Sequence, residues 1–357
     1  MQHATVAAAP LSAALTEKFS HLWHLVGNTP MLALHYTYQG QPGHIYVKCE
    51  HYNLTGSLKD RMALYILQRA YEQGKIQPGD TLVEATSGNT GIAFAAIGKA
   101  LGHPVHILMP DWLSRERQDI IRSLGAEVTL ISKAQGGFLG SIRLSEEMAA
   151  ANPQVFLTQQ FENCYNAEAH ARTTGPEIAA QLASVGRTPT AFVAGVGTGG
   201  TVMGTGHYLK EHFPGIKIHP LEPAESPTLT TGYKVGSHRI QGISDEFIPA
   251  IVKLDELDEV VQASDGDAIL VAQKLAQQLG LAVGISSGAN VIAAIRLAAE
   301  LGPDATVVTL LCDSNKKYLS TDLLREEPVR AGYLASEVEF IDYRPISRLA
   351  APCTHGN

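Results

Sequence analysis

Short apolar runs alternate with helix-patterned stretches along most of the 357 residues, and this alternation constrains the fold more than any other feature. Residues 44–48, 81–84, 105–109 and 127–131 are rich in apolar and β-branched side chains and are bounded by turn residues. Between them, residues 60–73, 89–101 and 115–124 carry apolar positions at helical spacing. Consecutive βα units set parallel strands side by side with crossover helices on the sheet faces. After residues 156–158 the pattern resumes, with helices expected at 167–182, 204–212, 265–279 and 288–301 and strands at 191–194, 216–221 and 306–311. The expected fold class is therefore α/β, with two domains that each hold a mostly parallel twisted sheet flanked by helices. We place the smaller at residues 51–165, the larger at 1–50 plus 166–324, and a C-terminal surface arm at 325–357.

Hydrophobic residues make up 45% of the chain and charged residues only 17%, below the usual charged share of about 25%. So large an interior suits an α/β enzyme. A formal charge of −8 leaves no basic footprint, so nucleic acid is not an expected partner. Cys49, Cys164, Cys312 and Cys353 show neither C-x-x-C nor metal-ligand spacing, which predicts reduced thiols in a cytoplasmic protein and no metal site. There is no apolar run of 18 residues and no signal-peptide pattern at the start of the sequence, so a membrane is not expected either.

Three junctions carry the chemistry. In Gly56-Ser57-Leu58-Lys59-Asp60-Arg61 a polar turn opens a helix, and Lys59 at its start loses hydration and faces the positive end of the helix dipole. Both effects favour the neutral amine, a nucleophile suited to a Schiff base, although most lysines are simply solvated charges. Thr86-Ser87-Gly88-Asn89-Thr90-Gly91 follows a strand and opens a helix, so its hydroxyls and free N–H groups can bind an anion; plain helix capping is the alternative. Gly195-Val196-Gly197-Thr198-Gly199-Gly200-Thr201 repeats that arrangement and fits a phosphate. It lacks the third glycine of a dinucleotide fingerprint and the lysine of a P-loop, which leaves a phosphate monoester. A ligand with a phosphate and an aldehyde, used with a substrate bearing a carboxylate, meets all three demands. Pyridoxal 5′-phosphate with an amino acid is such a pair.

These motifs resemble the cysteine synthase family, the O-acetylserine sulfhydrylases and the cystathionine β-synthase catalytic core, with the tryptophan-synthase-β-like fold of PLP enzymes (fold type II). The likeness runs over residues 26–321 and includes Gln159-Gln160-Phe161, Thr173-Thr174-Gly175-Pro176-Glu177 and Gly284-Ile285-Ser286-Ser287-Gly288. The resemblance implies that Lys59 forms the Schiff base and shuttles the α-proton, and that Asn89 meets the ring hydroxyl. It implies a phosphate cup of Gly197, Thr198, Gly199, Gly200 and Thr201, and Ser314 facing the pyridine nitrogen. Thr86, Ser87, Thr90 and Gln160 then hold the substrate carboxylate, and Gly242 lines the site. It also implies a homodimer that joins O-acetyl-L-serine to a sulfur nucleophile, sulfide, to give L-cysteine.

Two departures from the family pattern bear on substrate choice. Asp313 stands beside Ser314, where a register change of one residue would bring a carboxylate to the ring nitrogen. Asp245 and Glu246 add charge at the expected rim of the site. The rival readings are β-replacement on serine or O-phosphoserine with homocysteine, thiosulfate or an amine, and a non-catalytic binding homologue. Cys312, at the end of an apolar strand, is expected to be packing. His51, His170 and His212 lack partners at catalytic spacing and are expected to be structural.

Overall fold

The computed structural model describes residues 11–86, 88–244 and 246–350. Its strands are β1 (Met31–Tyr38), β2 (Gln41–Cys49), β3 (Thr81–Ala85), β4 (Val105–Pro110), β5 (Glu127–Ile131), β6 (Val155–Leu157), β7 (Ala191–Gly195), β8 (Lys217–Pro223), β9 (Val261–Ala263), β10 (Val307–Leu311) and β11 (Val338–Ile346). Its α-helices are α1 (Ala13–Trp23), α2 (Lys59–Glu72), α3 (Asn89–Leu101), α4 (Arg115–Ser123), α5 (Gly137–Ala151), α6 (Tyr165–Arg172), α7 (Thr174–Ser184), α8 (Gly200–His212), α9 (Thr228–Thr231), α10 (Asp265–Leu279) and α11 (Ile285–Leu301). None of the described helices is long and apolar enough to cross a membrane.

The strands form two sheets. The smaller, ordered β5-β4-β3-β6, is parallel throughout. The larger, ordered β11-β1-β2-β10-β7-β8-β9, is parallel from β2 to β9 and carries β1 and β11 antiparallel at one edge. This is the expected α/β class. Strands covered on both faces must be apolar on both, and β10 shows it: Val307 and Leu311 pack toward α10 and α11, while Val308 and Leu310 pack toward α7 and α8. The core of the smaller sheet lies among α2, α3 and the strands, where Met62, Ile66, Phe94 and Ile107 are buried.

Three details differ from the sequence reading. Phe19 and Leu22 of α1 pack into the core beside the smaller sheet, although residues 1–50 were grouped with the larger. The segment expected as a surface arm contains β11, which pairs with the whole of β1 and buries Val338, Phe340 and Ile346. The helix expected over residues 167–182 breaks at Thr173 (φ −126°) and restarts as α7. Pro176 lies in the first turn of α7, where its missing N–H is harmless; inside a continuous helix it would break a backbone bond.

A buried ionic cluster joins α2 to the larger sheet. The Arg61 guanidinium donates to Glu50 through Nε (2.6 Å) and Nη2 (2.8 Å), and to Glu177 through Nη1 (2.7 Å) and Nη2 (2.8 Å). Lys48 Nζ donates to Glu177 (2.7 Å) and to the Thr29 carbonyl (2.5 Å). Burial alone would raise the Glu50 carboxyl, but the charge and hydrogen bonds of Arg61 hold it at about 2. Two cations and two anions thus balance in the interior, and the first turn of α2 is fixed in place.

Candidate active site

In an open parallel sheet, ligands collect at the carboxyl ends of strands where the chain order reverses. The smaller sheet has such a point at β3, which lies between β4 and β6, and the larger has one at β7, between β8 and β10. The loops leaving both strands, together with the start of α2, line one cavity of about 710 Å³, counting space open at its mouth.

Lys59 is the first residue of α2 and lines the cavity. The turn ahead of it is pinned from two sides. Thr55 donates to Asp60 through its hydroxyl (2.5 Å) and its N–H (2.7 Å), and the Leu58 N–H donates to the Cys312 carbonyl (3.0 Å). Gly56, at φ +77°, takes the left-handed conformation that this turn requires.

Thr86, Asn89, Thr90 and Gln160 line the same cavity. Ser87 lies outside the described residues. Gly88 must be glycine, since it sits at φ +153° and a Cβ there would come 2.5 Å from Arg117 Cδ. The Thr90 hydroxyl donates to Gln160 Oε1 (2.6 Å), and Gln160 Nε2 donates to the Ala85 carbonyl (3.0 Å) and to Glu84 Oε1 (3.2 Å). Glu84 also accepts from the Thr158 hydroxyl. Burial pushes the Glu84 carboxyl up to about 7. A titratable group therefore backs the loop expected to take a carboxylate.

Gly197, Thr198 and Thr201 form the opposite wall. A Cβ on Gly197 would lie 2.4 Å from the Gly242 carbonyl oxygen, so the two backbones meet closely, and Gly242 also lines the cavity. Gly199 (φ +85°) and Gly200 make the turn into α8, whose opening N–H groups form an anion site. Asn166 donates to the Thr198 hydroxyl (2.8 Å), and Thr201 bonds the ring of His170 (3.2 Å). Burial, aided by the nearby charge of Arg61, lowers His170 to about 3, so the ring is neutral and serves as a brace.

The charges on the lining are Lys59 and Arg117; no carboxylate is on it among the described residues. Gln241, Ser286, Asn290 and Cys312 complete its polar surface. Burial pushes the Cys312 thiol up to about 12, so it is uncharged. Its expected packing role is thus joined by a place on the cavity wall.

Ser314, expected against the ring nitrogen, is not on the lining. Its hydroxyl accepts from the Lys316 N–H (3.4 Å), and its backbone pairs with Gly56 and Val283 as the chain turns away after β10. Asp313 is fully buried behind Asn89 rather than in the cavity. Glu246 is exposed and pairs with Lys234 (3.2 Å), and Asp245 lies outside the described residues. Sequence reasoning did not assign roles to Arg117, Ser286 or Asn290. The Gly284-Ile285-Ser286-Ser287-Gly288 motif was the available signal for Ser286, since it opens α11 and points that helix start at the cavity.

The donor set fits pyridoxal phosphate. It offers an amine, the N–H groups at the start of α8 beside Thr198 and Thr201, and Asn89 Oδ1, a buried oxygen with no hydrogen-bond partner among the described residues. Residues 22–313 match the family model described as pyridoxal-phosphate dependent enzyme. A probable cysteine synthase of Bacillus subtilis is 42% identical over 299 residues, covering 84% of this chain and 96% of that one. The crystal structure of a hydrogen sulfide-producing enzyme from Fusobacterium nucleatum is 56% identical with a TM-score of 0.91, covering 93% and 99% of the two chains. The cysteine synthase of Entamoeba histolytica is 34% identical with a TM-score of 0.79, covering 94% and 98%. The chain therefore belongs to the pyridoxal-phosphate dependent enzymes, and within them to the cysteine synthase family.

Proposed function

We propose that this enzyme catalyses β-replacement on an activated L-serine, with O-acetyl-L-serine and sulfide giving L-cysteine and acetate. The observation that carries the reading is a cavity whose charges are one lysine and one arginine, set between two anion-binding loops. Pyridoxal phosphate, when bound, supplies the electron sink that acidifies the α-C–H bond and lets the β-substituent leave. Lys59 holds the cofactor and takes up the α-proton on its amine. The cup from Gly197 to Thr201 holds the phosphate, and Asn89 faces the ring hydroxyl. Thr86, Ser87, Thr90 and Gln160 orient the substrate carboxylate, and Gly242 lines the site beside them. Ser286, which lines the cavity where Ser314 does not, would offer a neutral hydroxyl to the pyridine nitrogen. A neutral hydroxyl there does not hold that nitrogen protonated as a carboxylate would, which favours prompt loss of the leaving group.

A second reading draws support from the 56%-identical hydrogen sulfide-producing enzyme. The same apparatus acting on L-cysteine expels sulfide, and water as the incoming nucleophile then yields L-serine. Parallel assays separate the two: cysteine formed from O-acetyl-L-serine plus sulfide, and sulfide released from cysteine alone. A higher kcat/KM in the first supports synthesis, a higher value in the second supports sulfide production, and no turnover in either by the cofactor-loaded protein refutes both. We further propose a cytoplasmic homodimer, which light scattering of the purified protein tests as a mass twice that of the chain.

A further inference from the structure

One hydrogen bond behind the cavity lies a carboxylate that the proposed reaction does not use. Asp313 Oδ2 accepts from Asn89 Nδ2 (2.7 Å) and from the Tyr318 hydroxyl (2.5 Å). Its place is enforced: Asp313 forms a bridge with Ser57, its carbonyl accepts from the Gly284 N–H (3.1 Å), and a Cβ on Gly284 would come 2.3 Å from Asp313 Oδ1. Tyr318 is itself clamped beneath the Arg117 guanidinium, 4.8 Å from the ring centre. Burial first, and then Asp313, keep the Tyr318 hydroxyl far above its ordinary value, so it remains a donor.

Two donors converge on Oδ2, which leaves the Asn89 amide one orientation. A flipped amide would set its carbonyl oxygen against the carboxylate. The nitrogen therefore faces Asp313 and Oδ1 faces away, buried, partnerless among the described residues, and on a residue that lines the cavity. A buried acceptor in that state is satisfied by a ligand, or by a water that the ligand displaces, bringing a donor to it.

We propose that Asp313 is a positioning residue that locks Asn89 so that its carbonyl oxygen is presented to the cofactor as an acceptor, selecting a ring that carries a hydroxyl donor. The inference rests on the proposed placement of Asn89 opposite the ring hydroxyl. Its test is a binding comparison. The apoprotein is titrated with pyridoxal phosphate and with an analogue whose ring hydroxyl is replaced by hydrogen, in the wild type, Asp313→Asn and Asn89→Ala, and the ratio of the two Kd values is taken for each protein. The wild type is expected to prefer pyridoxal phosphate by a ratio about tenfold greater than either variant shows, the worth of one hydrogen bond. Asp313→Ser supplies the same comparison if Asp313→Asn does not fold by circular dichroism. A wild-type ratio in the folded Asp313 variant, with loss only in Asn89→Ala, overturns the positioning role and leaves the placement of Asn89 intact. Equal ratios in the wild type and Asn89→Ala overturn the placement, and the inference with it.

Discussion

Replacing Glu177 by Gln removes one anion from the buried cluster and leaves Lys48 and Arg61 facing Glu50 alone. The side chains of Lys48 and Arg61 are fully buried and that of Glu177 is only 4% exposed, so solvent cannot screen the imbalance. Glu177 accepts from Lys48 Nζ, from two nitrogens of Arg61 and from the Asn28 N–H (2.8 Å). Breaking a buried pair by neutralising one partner costs about 3–5 kcal/mol, because the surviving charge stays desolvated. With an m value of about 3 kcal/mol/M, the urea midpoint falls by about 1–1.7 M. The assay is equilibrium unfolding followed by far-UV circular dichroism. Arg143→Met serves as the control, since it and its partner Glu147 are both largely exposed and surface pairs contribute little. If Glu177→Gln shifts the midpoint no more than that control does, the cluster is not what anchors α2, and the reasoning fails.

Glu84 has a folded pKa raised to about 7 by burial, above its unfolded value, so the stability contributed by its neutral form is present below about pH 4 and lost as pH rises through 7. Glu84→Gln should therefore gain on the wild type between pH 5 and pH 8, by on the order of 2 kcal/mol in urea unfolding, and a constant difference across that range would count against a buried proton at Glu84. Gly197→Ala would bring a methyl group 2.4 Å from the Gly242 carbonyl. It should weaken pyridoxal phosphate binding by at least about tenfold in a fluorescence titration, and unchanged affinity would mean that the cofactor phosphate sits elsewhere. Arg61→Met removes the donor to both Glu50 and Glu177 and should cost at least about 3 kcal/mol in the same unfolding assay.

What the sequence reveals about this protein is mostly local. The helix over Asn89–Leu101, the strand over Glu127–Ile131 and the helix over Asp265–Leu279 are recognisable because apolar period and flanking turn residues agree within one short window. The two anion-binding loops are legible for the same reason, since glycine and hydroxyl residues at a strand-to-helix junction have a backbone consequence that needs no distant partner. Features set by long-range contact are harder to read. Ser286 and Ser314 both follow plausible motifs, and only the packing of α11 against the turn after β10 puts one on the cavity wall and the other outside it. The strand β11 is disguised by Glu339, Asp342 and Arg344 on its exposed positions, and its buried positions have meaning only once β1 lies beside it. The cluster of Arg61, Glu50 and Glu177 joins residues 11 and 116 positions apart, beyond the reach of any periodicity.

The central claim is that Lys59 is the residue that carries pyridoxal phosphate. Borohydride reduction of the holoenzyme, followed by proteolysis and peptide mass mapping, tests it most directly. The pyridoxyl group is expected on the peptide containing Lys59 and is expected to be absent from Lys59→Ala, which should still bind the cofactor non-covalently but lose turnover. A pyridoxyl group found on another lysine, or full activity in Lys59→Ala, would contradict the account.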